Sequence, residues 1–213
     1  ARLSALERLR CGTTTAALLL GGGPDVMLPE AAAAALAHIE GARTVGVGEI
    51  LAIGPNRPDG PACYTTWRGA AASPVAVTGG RQVDVCKALI RRHGDAAGLV
   101  RLALSLPVAS AADLAGPHAA AMEALSRQVA RMAAESGVLL VQDGHRAGSI
   151  ALARGRLGLA GRHSLLAHCV DLTAADVAAL REGEAKVAHN PSALMSVVGR
   201  CPAPELMAGG ITV

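Results

Sequence analysis

The chain alternates between two kinds of hydrophobic pattern. Short apolar runs, bounded by polar or glycine-rich turns, predict strands that are buried on both faces. They occupy residues 13–20, 44–51, 100–108, 137–144, 164–170, 185–191 and 211–213. The longer segments between them are typical of helices. These cover residues 3–12, 29–40, 82–93, 117–136, 149–157, 173–182 and 202–208. Such regular alternation predicts a parallel α/β sheet with right-handed crossovers.

This alternation fits either an open doubly wound sheet or a closed barrel. Seven strand signals match a (β/α)8 TIM barrel that lacks its first strand and most of its last. Both ends look cut, since the chain begins at Ala1 within a predicted helix and ends at Val213 within a strand signal. We therefore expect a single partial barrel domain over 1–213. Segment 54–80 is rich in Pro and Gly and long for a connection, which predicts a loop on the active face.

Composition limits the classes of partner. With 213 residues, 51% of them hydrophobic, the chain is long enough for one well-packed domain. One Trp, one Tyr and no Phe, together with a net charge of +3, argue against nucleic acid, which needs stacking rings and a basic surface. No apolar run is as long as a membrane span, and no signal peptide is visible. Five cysteines without a CxxC pair predict reduced thiols and a cytoplasmic protein.

Several familiar motifs are absent, and histidines remain as the candidate chemistry. "GGGPD" lacks the lysine and spacing of a phosphate loop, "GVGEILAIG" lacks the third glycine of a dinucleotide site, and no GxSxG occurs. His168 ends the strand signal "SLLAHCV", just before a helix that begins at Thr173 with Asp176 as its capping-box partner. A histidine at the carboxyl end of a parallel strand lies where α/β proteins keep their chemistry.

Two stretches resemble one family. "SLLAHCVDLTAADVAALREGEAKVAHNPSALMSVVGRCPAPELMAGGITV" (164–213) contains, in order, an AHC strand, an L-T-x-x-[DE] helix start, a V-x-H-[CN]-P-x-S turn and P-x-P-E-L-x-x-[AG]-G-[IV]-x-V. "LERLRCGTTTAALLL" is similar to a helix-strand junction with the pattern L-L-x-x-G-[TV]-T-T. These patterns resemble the amidohydrolase superfamily, in the branch that holds guanine and cytosine deaminases, methylthioadenosine/adenosylhomocysteine deaminases and triazine chlorohydrolases.

The resemblance implies hydrolysis of a carbon–nitrogen or related bond by a metal-activated water. The expected substrate is a small heterocycle or amidine, and the expected reaction is deamination. The implied cofactor is a divalent metal, zinc first and iron as the alternative, which lowers the pKa of a bound water. By the same resemblance, an HxH pair of metal ligands would lie before Ala1 and an aspartate ligand just beyond Val213. A homo-oligomeric state stays open.

The resemblance also assigns roles to residues of this chain. His168 matches a histidine that orients or polarises the attacking water or the leaving group, which makes it the catalytic candidate. His189 and Asn190 match a turn that contacts substrate, although the same residues could simply cap the turn. In segment 54–80, Trp67 and Arg68 are candidate contacts for a ring or an anion, or they pack the loop against the barrel.

The strand signal at 137–144 departs from the family pattern. Asp143 stands where a metal-binding histidine is expected, and Arg146 stands where a proton-shuttling glutamate is expected. An arginine stays protonated and cannot transfer protons. Either Asp143 or the nearby His145 replaces a lost group, with the Asp143 oxygens able to bind a metal, or the chain has degenerated. Two hypotheses follow: a metal-dependent aminohydrolase with a modified site, which we favour, or a catalytically silent barrel. Under either, we expect Gly144, His168 and His189 to converge at one end of a sheet.

Overall fold

The computed structural model describes residues 1–20, 32–60, 63–94, 98–192 and 198–213. The chain divides into two compact units, 1–105 and 106–213. Each unit contains parallel strands joined by helices, as the alternating pattern predicts. None of the helices within the described ranges is long and apolar enough to cross a membrane.

The described residues of the first unit form three helices and five strands. In chain order they are α1 (Arg2–Arg10), β1 (Thr15–Leu20), α2 (Ala33–Val45), β2 (Gly48–Ile53), β3 (Cys63–Arg68), β4 (Ala71–Ala76), α3 (Gly79–His93) and β5 (Val100–Ser105). β1 pairs with β2, and β2 pairs with β5, both in parallel. Leu51 of β2 and Leu104 of β5 are completely buried. Strands buried on both faces are typical of parallel sheets covered by helices.

Glycines allow two close approaches of backbone in this unit. Gly41 of α2 lies so near Arg2 of α1 that a Cβ would be 3.0 Å from the Arg2 nitrogen. A Cβ at Gly54, just after β2, would overlap the carbonyl of Ser105 at the end of β5. Only glycine fits at these two positions without a shift of the neighbouring element.

Segment 54–80 contains an antiparallel hairpin. β3 and β4 pair along six residues each and are joined by Gly69 and Ala70, with Gly69 at a φ of 62°. A glycine with positive φ is what a two-residue hairpin turn requires. Trp67 and Arg68 lie at the end of β3 with exposed side chains. That this segment lies on an active face stays a prediction.

In the second unit, the part of the chain that the structure describes forms four α-helices and three strands. After a short 3-10 helix (Asp113–Ala115) they are α4 (Ala119–Ser136), β6 (Leu140–Gln142), α5 (Ser149–Leu157), β7 (Ser164–Ala167), α6 (Ala174–Gly183), β8 (Lys186–Ala188) and α7 (Ala203–Ala208). β6, β7 and β8 form a parallel sheet in that order. The capping box predicted at Thr173 and Asp176 is confirmed, with both reciprocal hydrogen bonds present.

The predicted final strand, 211–213, is not a strand in the structure. Its backbone nevertheless begins a ladder, because the Thr212 carbonyl accepts a hydrogen bond of 2.9 Å from the N–H of Val187 in β8. A single bond is too little to define a strand, although it lies where the next parallel strand would pair.

Candidate active site

Three consecutive parallel strands end together in the second unit. Their registers place Gln142 opposite Leu166 and Ala167 opposite Ala188, so the three carboxyl ends are level. The residues that follow, including Asp143, His168 and His189, therefore share one edge of the sheet. The predicted convergence at this edge is confirmed.

Asp143 and His168 are in direct contact at this edge. The His168 Nε2 lies 2.7 Å from the Asp143 Oδ1. The His168 side chain is 11% exposed and that of Asp143 is 47% exposed, so water reaches the carboxylate much more easily than the ring. The carboxylate therefore lies against the Nε2 edge of the imidazole ring. The His168 Nδ1 is buried and, within the described structure, has no hydrogen-bond partner.

His168 has an unusual backbone conformation. Its φ is 72°, and the N–H of Cys169 donates to the carbonyl of Ala167 over 3.0 Å. A bond that spans three residues around a residue with positive φ is a γ-turn of the rare, strained kind. Cys169 and Asp171 also have positive φ values, 49° and 50°. Clustered left-handed residues other than glycine, at the end of a strand, are typical of functional sites.

The turn arises from an interruption of the ladder between β6 and β7. The N–H of Leu140 donates to the His163 carbonyl. In a regular parallel ladder every second residue donates, so the N–H of Gly144 should donate to the Ala167 carbonyl. In the structure the N–H of His145 donates to that carbonyl. The His145 carbonyl then accepts from the N–H of Val170. The two backbone hydrogen bonds of His145 therefore enclose two residues of the neighbouring strand, His168 and Cys169, where a regular ladder encloses one. Both chains thus carry one extra residue at the same level. The original register resumes with Arg146 opposite Val170.

The side chain of His145 does not join the Asp143–His168 pair. Gly144, with a φ of 96°, breaks the two-residue alternation, and the His145 ring is completely buried with its Nδ1 2.9 Å from the Ser149 Oγ. Burial lowers the pKa of His145 to about 4, against the opposing effect of the Asp176 carboxylate. The ring is therefore neutral near pH 7, and its Nε2 has no partner within the described structure.

The other predicted site residues are half-buried or exposed. His189 is half-buried and Asn190 is exposed, both directly after β8. Arg146 is exposed, next to the extra residue of its strand. Trp67, at 66% exposure, and Arg68 belong to the hairpin of the first unit. Substrate-binding roles for His189, Asn190, Trp67 and Arg68 stay predictions.

The described residues do not by themselves form a metal centre. Among them, no group of three or more His, Cys, Asp or Glu side chains is arranged to hold a metal ion. A catalytic zinc site needs about three protein ligands, and the side chains described at this edge are not arranged as such a set. The ligand roles predicted for Asp143 and His145 stay predictions, and His145 would first have to leave its buried position.

The cysteine beside His168 is not a nucleophile. Burial raises the pKa of the Cys169 thiol to about 12, with Cys201 and Asp176 adding to the effect. The thiol is therefore protonated at neutral pH and packs as a small apolar group. Its Sγ hydrogen-bonds the Leu166 carbonyl.

Sequence reasoning missed two polar groups that connect the loops around the Asp143–His168 pair. The Ser149 Oγ bonds to the Arg146 N–H and carbonyl as well as to His145, and Asp176 bonds to the backbone of two helices. The capping-box signal at Thr173 did locate Asp176, but it predicted only a local role in α6. The long-range contacts of Asp176 follow from the tertiary structure.

Comparison with known proteins supports the resemblance read from the motifs. No family model matches the chain. It is 41% identical over 58 residues to a 5-methylthioadenosine/S-adenosylhomocysteine deaminase from Desulfitobacterium hafniense, a match that covers 27% of this chain and 14% of the relative. The structure of atrazine chlorohydrolase TrzN from Arthrobacter aurescens TC1, complexed with zinc, superposes on all of this chain and 46% of its own, with a TM-score of 0.71 and 25% identity.

A guanine deaminase from C. acetobutylicum, solved with guanine in its active site, matches 99% of this chain with a TM-score of 0.68 and 14% identity, which shows the fold. The chain spans about half the length of these solved proteins: 46% and 48%. The predicted fold class, part of a parallel α/β barrel, is confirmed. These findings confirm the resemblance of the chain to the deaminases and chlorohydrolases of the amidohydrolase superfamily.

Proposed function

We propose that this chain is part of a hydrolase that cleaves a carbon–nitrogen bond of a small heterocyclic or amidine substrate, with deamination as the reaction. One observation carries the proposal: the 2.7 Å contact between Asp143 and His168, at the level carboxyl ends of parallel strands. His168 adopts a strained conformation there, and strain of this kind persists where the surrounding structure enforces it.

The pair is suited to moving a proton. The Asp143 carboxylate lies against Nε2, so a proton carried there would leave the lone pair on Nδ1, and Asp143 would stabilise the imidazolium that forms when Nδ1 takes a proton. A buried acceptor without a partner costs about 1–3 kcal/mol, which a water or a substrate group reaching Nδ1 would recover. His168 would thus take a proton from the attacking water and return it to the leaving group.

A divalent metal, zinc first and iron as the alternative, would supply a water of lowered pKa when bound. Zinc is present in the structure of the atrazine chlorohydrolase. We expect Asp143 or His145 to contribute one ligand, with the others outside the described residues. The described residues alone do not fit such a centre, and the role proposed for His168 depends only on its own contacts.

The relatives act on or bind ring systems that differ in their substituents, namely atrazine, guanine and 5-methylthioadenosine. We propose a small molecule of this kind as the substrate, with His189, Asn190, Trp67 and Arg68 as its contacts. Neither nucleic acid nor a membrane is expected as a partner. A cytoplasmic location and a single barrel domain complete the proposal.

The test compares three variants of the full-length protein. His168→Asn should lower turnover about a hundredfold or more, as loss of a positioned proton-transfer group does, with little change in metal content. Asp143→Asn should lower metal occupancy as well as turnover. His163→Asn is the matched control, because His163 is exposed at the opposite end of β7. Turnover is followed as ammonia release from aminated purines, pyrimidines and triazines, and metal by atomic absorption.

Two outcomes would decide against the proposal. Equal turnover in His168→Asn and His163→Asn would remove His168 from the chemistry. Absence of both bound metal and turnover in the unmodified full-length protein would identify a catalytically silent barrel.

A further inference from the structure

We propose that Asp176 is a positioning residue, which holds the loop that carries Asp143 against the loop that carries His168. We call residues 143–148 the β6–α5 loop and residues 168–173 the β7–α6 loop. The inference rests on the proposed function for its chemical meaning, but its geometry is independent of any activity.

The carboxylate of Asp176 bonds to both loops. Its Oδ2 accepts from the N–H of Gly148 over 2.6 Å, from the N–H of Thr173 over 3.0 Å and from the Thr173 Oγ1 over 2.7 Å. Its Oδ1 accepts from the N–H groups of Ile150 and Ala151 over 3.0 and 2.9 Å. Asp176 is completely buried. One side chain therefore caps α5 and α6 together, and it joins the last residues of the two loops.

The electrostatics favour a charged carboxylate at this position. The amino-terminal ends of α5 and α6 both present N–H groups and a partial positive charge to it. Burial raises the pKa of Asp176, but hydrogen bonds from Ala151, Gly148 and Thr173 outweigh burial and hold the pKa below its usual range. A charged acceptor bonds more strongly than an amide, so the link between the loops depends on the charge.

The geometry explains why such a link matters for Asp143 and His168. Their contact spans two separate loops, and a relative shift of about 1 Å would take the two atoms out of contact distance. The backbone of His145 ties the two loops together near the strand ends through its bonds to Ala167 and Val170. Asp176 ties them at the helix ends. Only the second tie is made by a side chain, so only it can be removed by substitution without altering the strands.

The experiment measures the pair directly in the full-length protein. Histidine is labelled with ¹⁵N in the ring, and the His168 signals are assigned by their loss in His168→Gln. The unmodified protein should show the proton of His168 on Nε2 in slow exchange with water. In Asp176→Asn, that exchange should become about tenfold faster or more, because the contact with Asp143 is open for a larger fraction of the time.

Thr173→Ala is the matched control. It removes the hydroxyl that bonds to Asp176 in α6, but leaves the bonds of Asp176 to Gly148, Ile150 and Ala151 in place. It should lower the thermal midpoint and leave the His168 signals unchanged. With an active substrate, Asp176→Asn should lower kcat with little change in KM, whereas Thr173→Ala should change neither.

Unchanged His168 signals in Asp176→Asn, together with a lowered thermal midpoint, would show that Asp176 is only a helix cap and overturn the inference. That result would not contradict the proposed function. Conversely, equal turnover in His168→Asn and His163→Asn would contradict the proposed function without affecting the exchange measurement. If Asp176→Asn does not fold, Asp176→Glu replaces it, since the longer side chain keeps the charge but displaces it. It is judged by the same His168 signals.

Discussion

Replacing His168 by glycine should leave the protein more stable than replacing it by alanine. Both variants lose the contact with Asp143, so that loss cancels in the comparison. They differ in backbone, because residue 168 has a φ of 72°. Alanine keeps the steric penalty of this conformation, whereas glycine adopts it freely.

The expected difference follows from two opposing terms. A left-handed conformation costs a residue with a Cβ about 1–2 kcal/mol. Glycine also has more conformational freedom in the unfolded chain, which reduces the stability gained by avoiding this penalty by about 0.4–1 kcal/mol. His168→Gly should therefore exceed His168→Ala in unfolding free energy by about 0.5–1 kcal/mol.

Urea denaturation of both variants, followed by circular dichroism, gives the difference. Ala178→Gly serves as the control, since Ala178 is exposed within α6, and there glycine should cost about 0.5–1 kcal/mol. A glycine variant at position 168 that is no more stable than the alanine variant would mean that the turn relaxes without the histidine. The strain would then not be imposed by the surrounding chain.

Three further predictions concern stability and association. Because the folded-state pKa of Asp176 is depressed, its contribution to stability is present above about pH 4 and is lost as the pH falls through the folded value. The urea midpoint of Asp176→Asn should therefore fall less steeply from pH 5 to pH 3 than that of the unmodified protein. Gly155→Ala, with open space around its Cβ in α5, should raise the thermal midpoint, whereas Gly183→Ala, whose Cβ would overlap the Ala160 carbonyl, should lower it. Leu3 and Leu6 are 75% and 45% exposed on α1, and replacing both by lysine should reduce self-association of the 213-residue chain, measured by light scattering. Unchanged association would exclude this face of α1 as the contact surface.

The sequence predicted the repeating elements because their signals are local. Five of the apolar runs contain the strands β1, β5, β6, β7 and β8, the run 44–51 overlaps β2, which continues to Ile53, and the capping pair at Thr173 and Asp176 marks the start of α6. The hairpin of β3 and β4 was missed because Pro74 interrupts its second strand and the segment is rich in Gly and Pro. The β-branched and aromatic residues at positions 64–67 were the available signal.

The site was only partly predictable. His168 was found because it ends a strand and matches a family motif. Its contact with Asp143 was not predicted, because the contact depends on an extra residue in each of two strands, and a pattern of apolar positions does not reveal such an interruption. His145 was grouped with Asp143 on spacing alone, whereas the positive φ of Gly144 sends its ring into the interior.

The paired interruption of β6 and β7 has a consequence for how this site can change in length. Deleting one residue near Asp143, without a matching deletion near His168, would put the chain after the interruption out of register. The pairing of Arg146 with Val170 would be lost, and the starts of α5 and α6 would be displaced. Insertions and deletions in these two loops should therefore be tolerated in pairs, so that the two loops change length together during evolution.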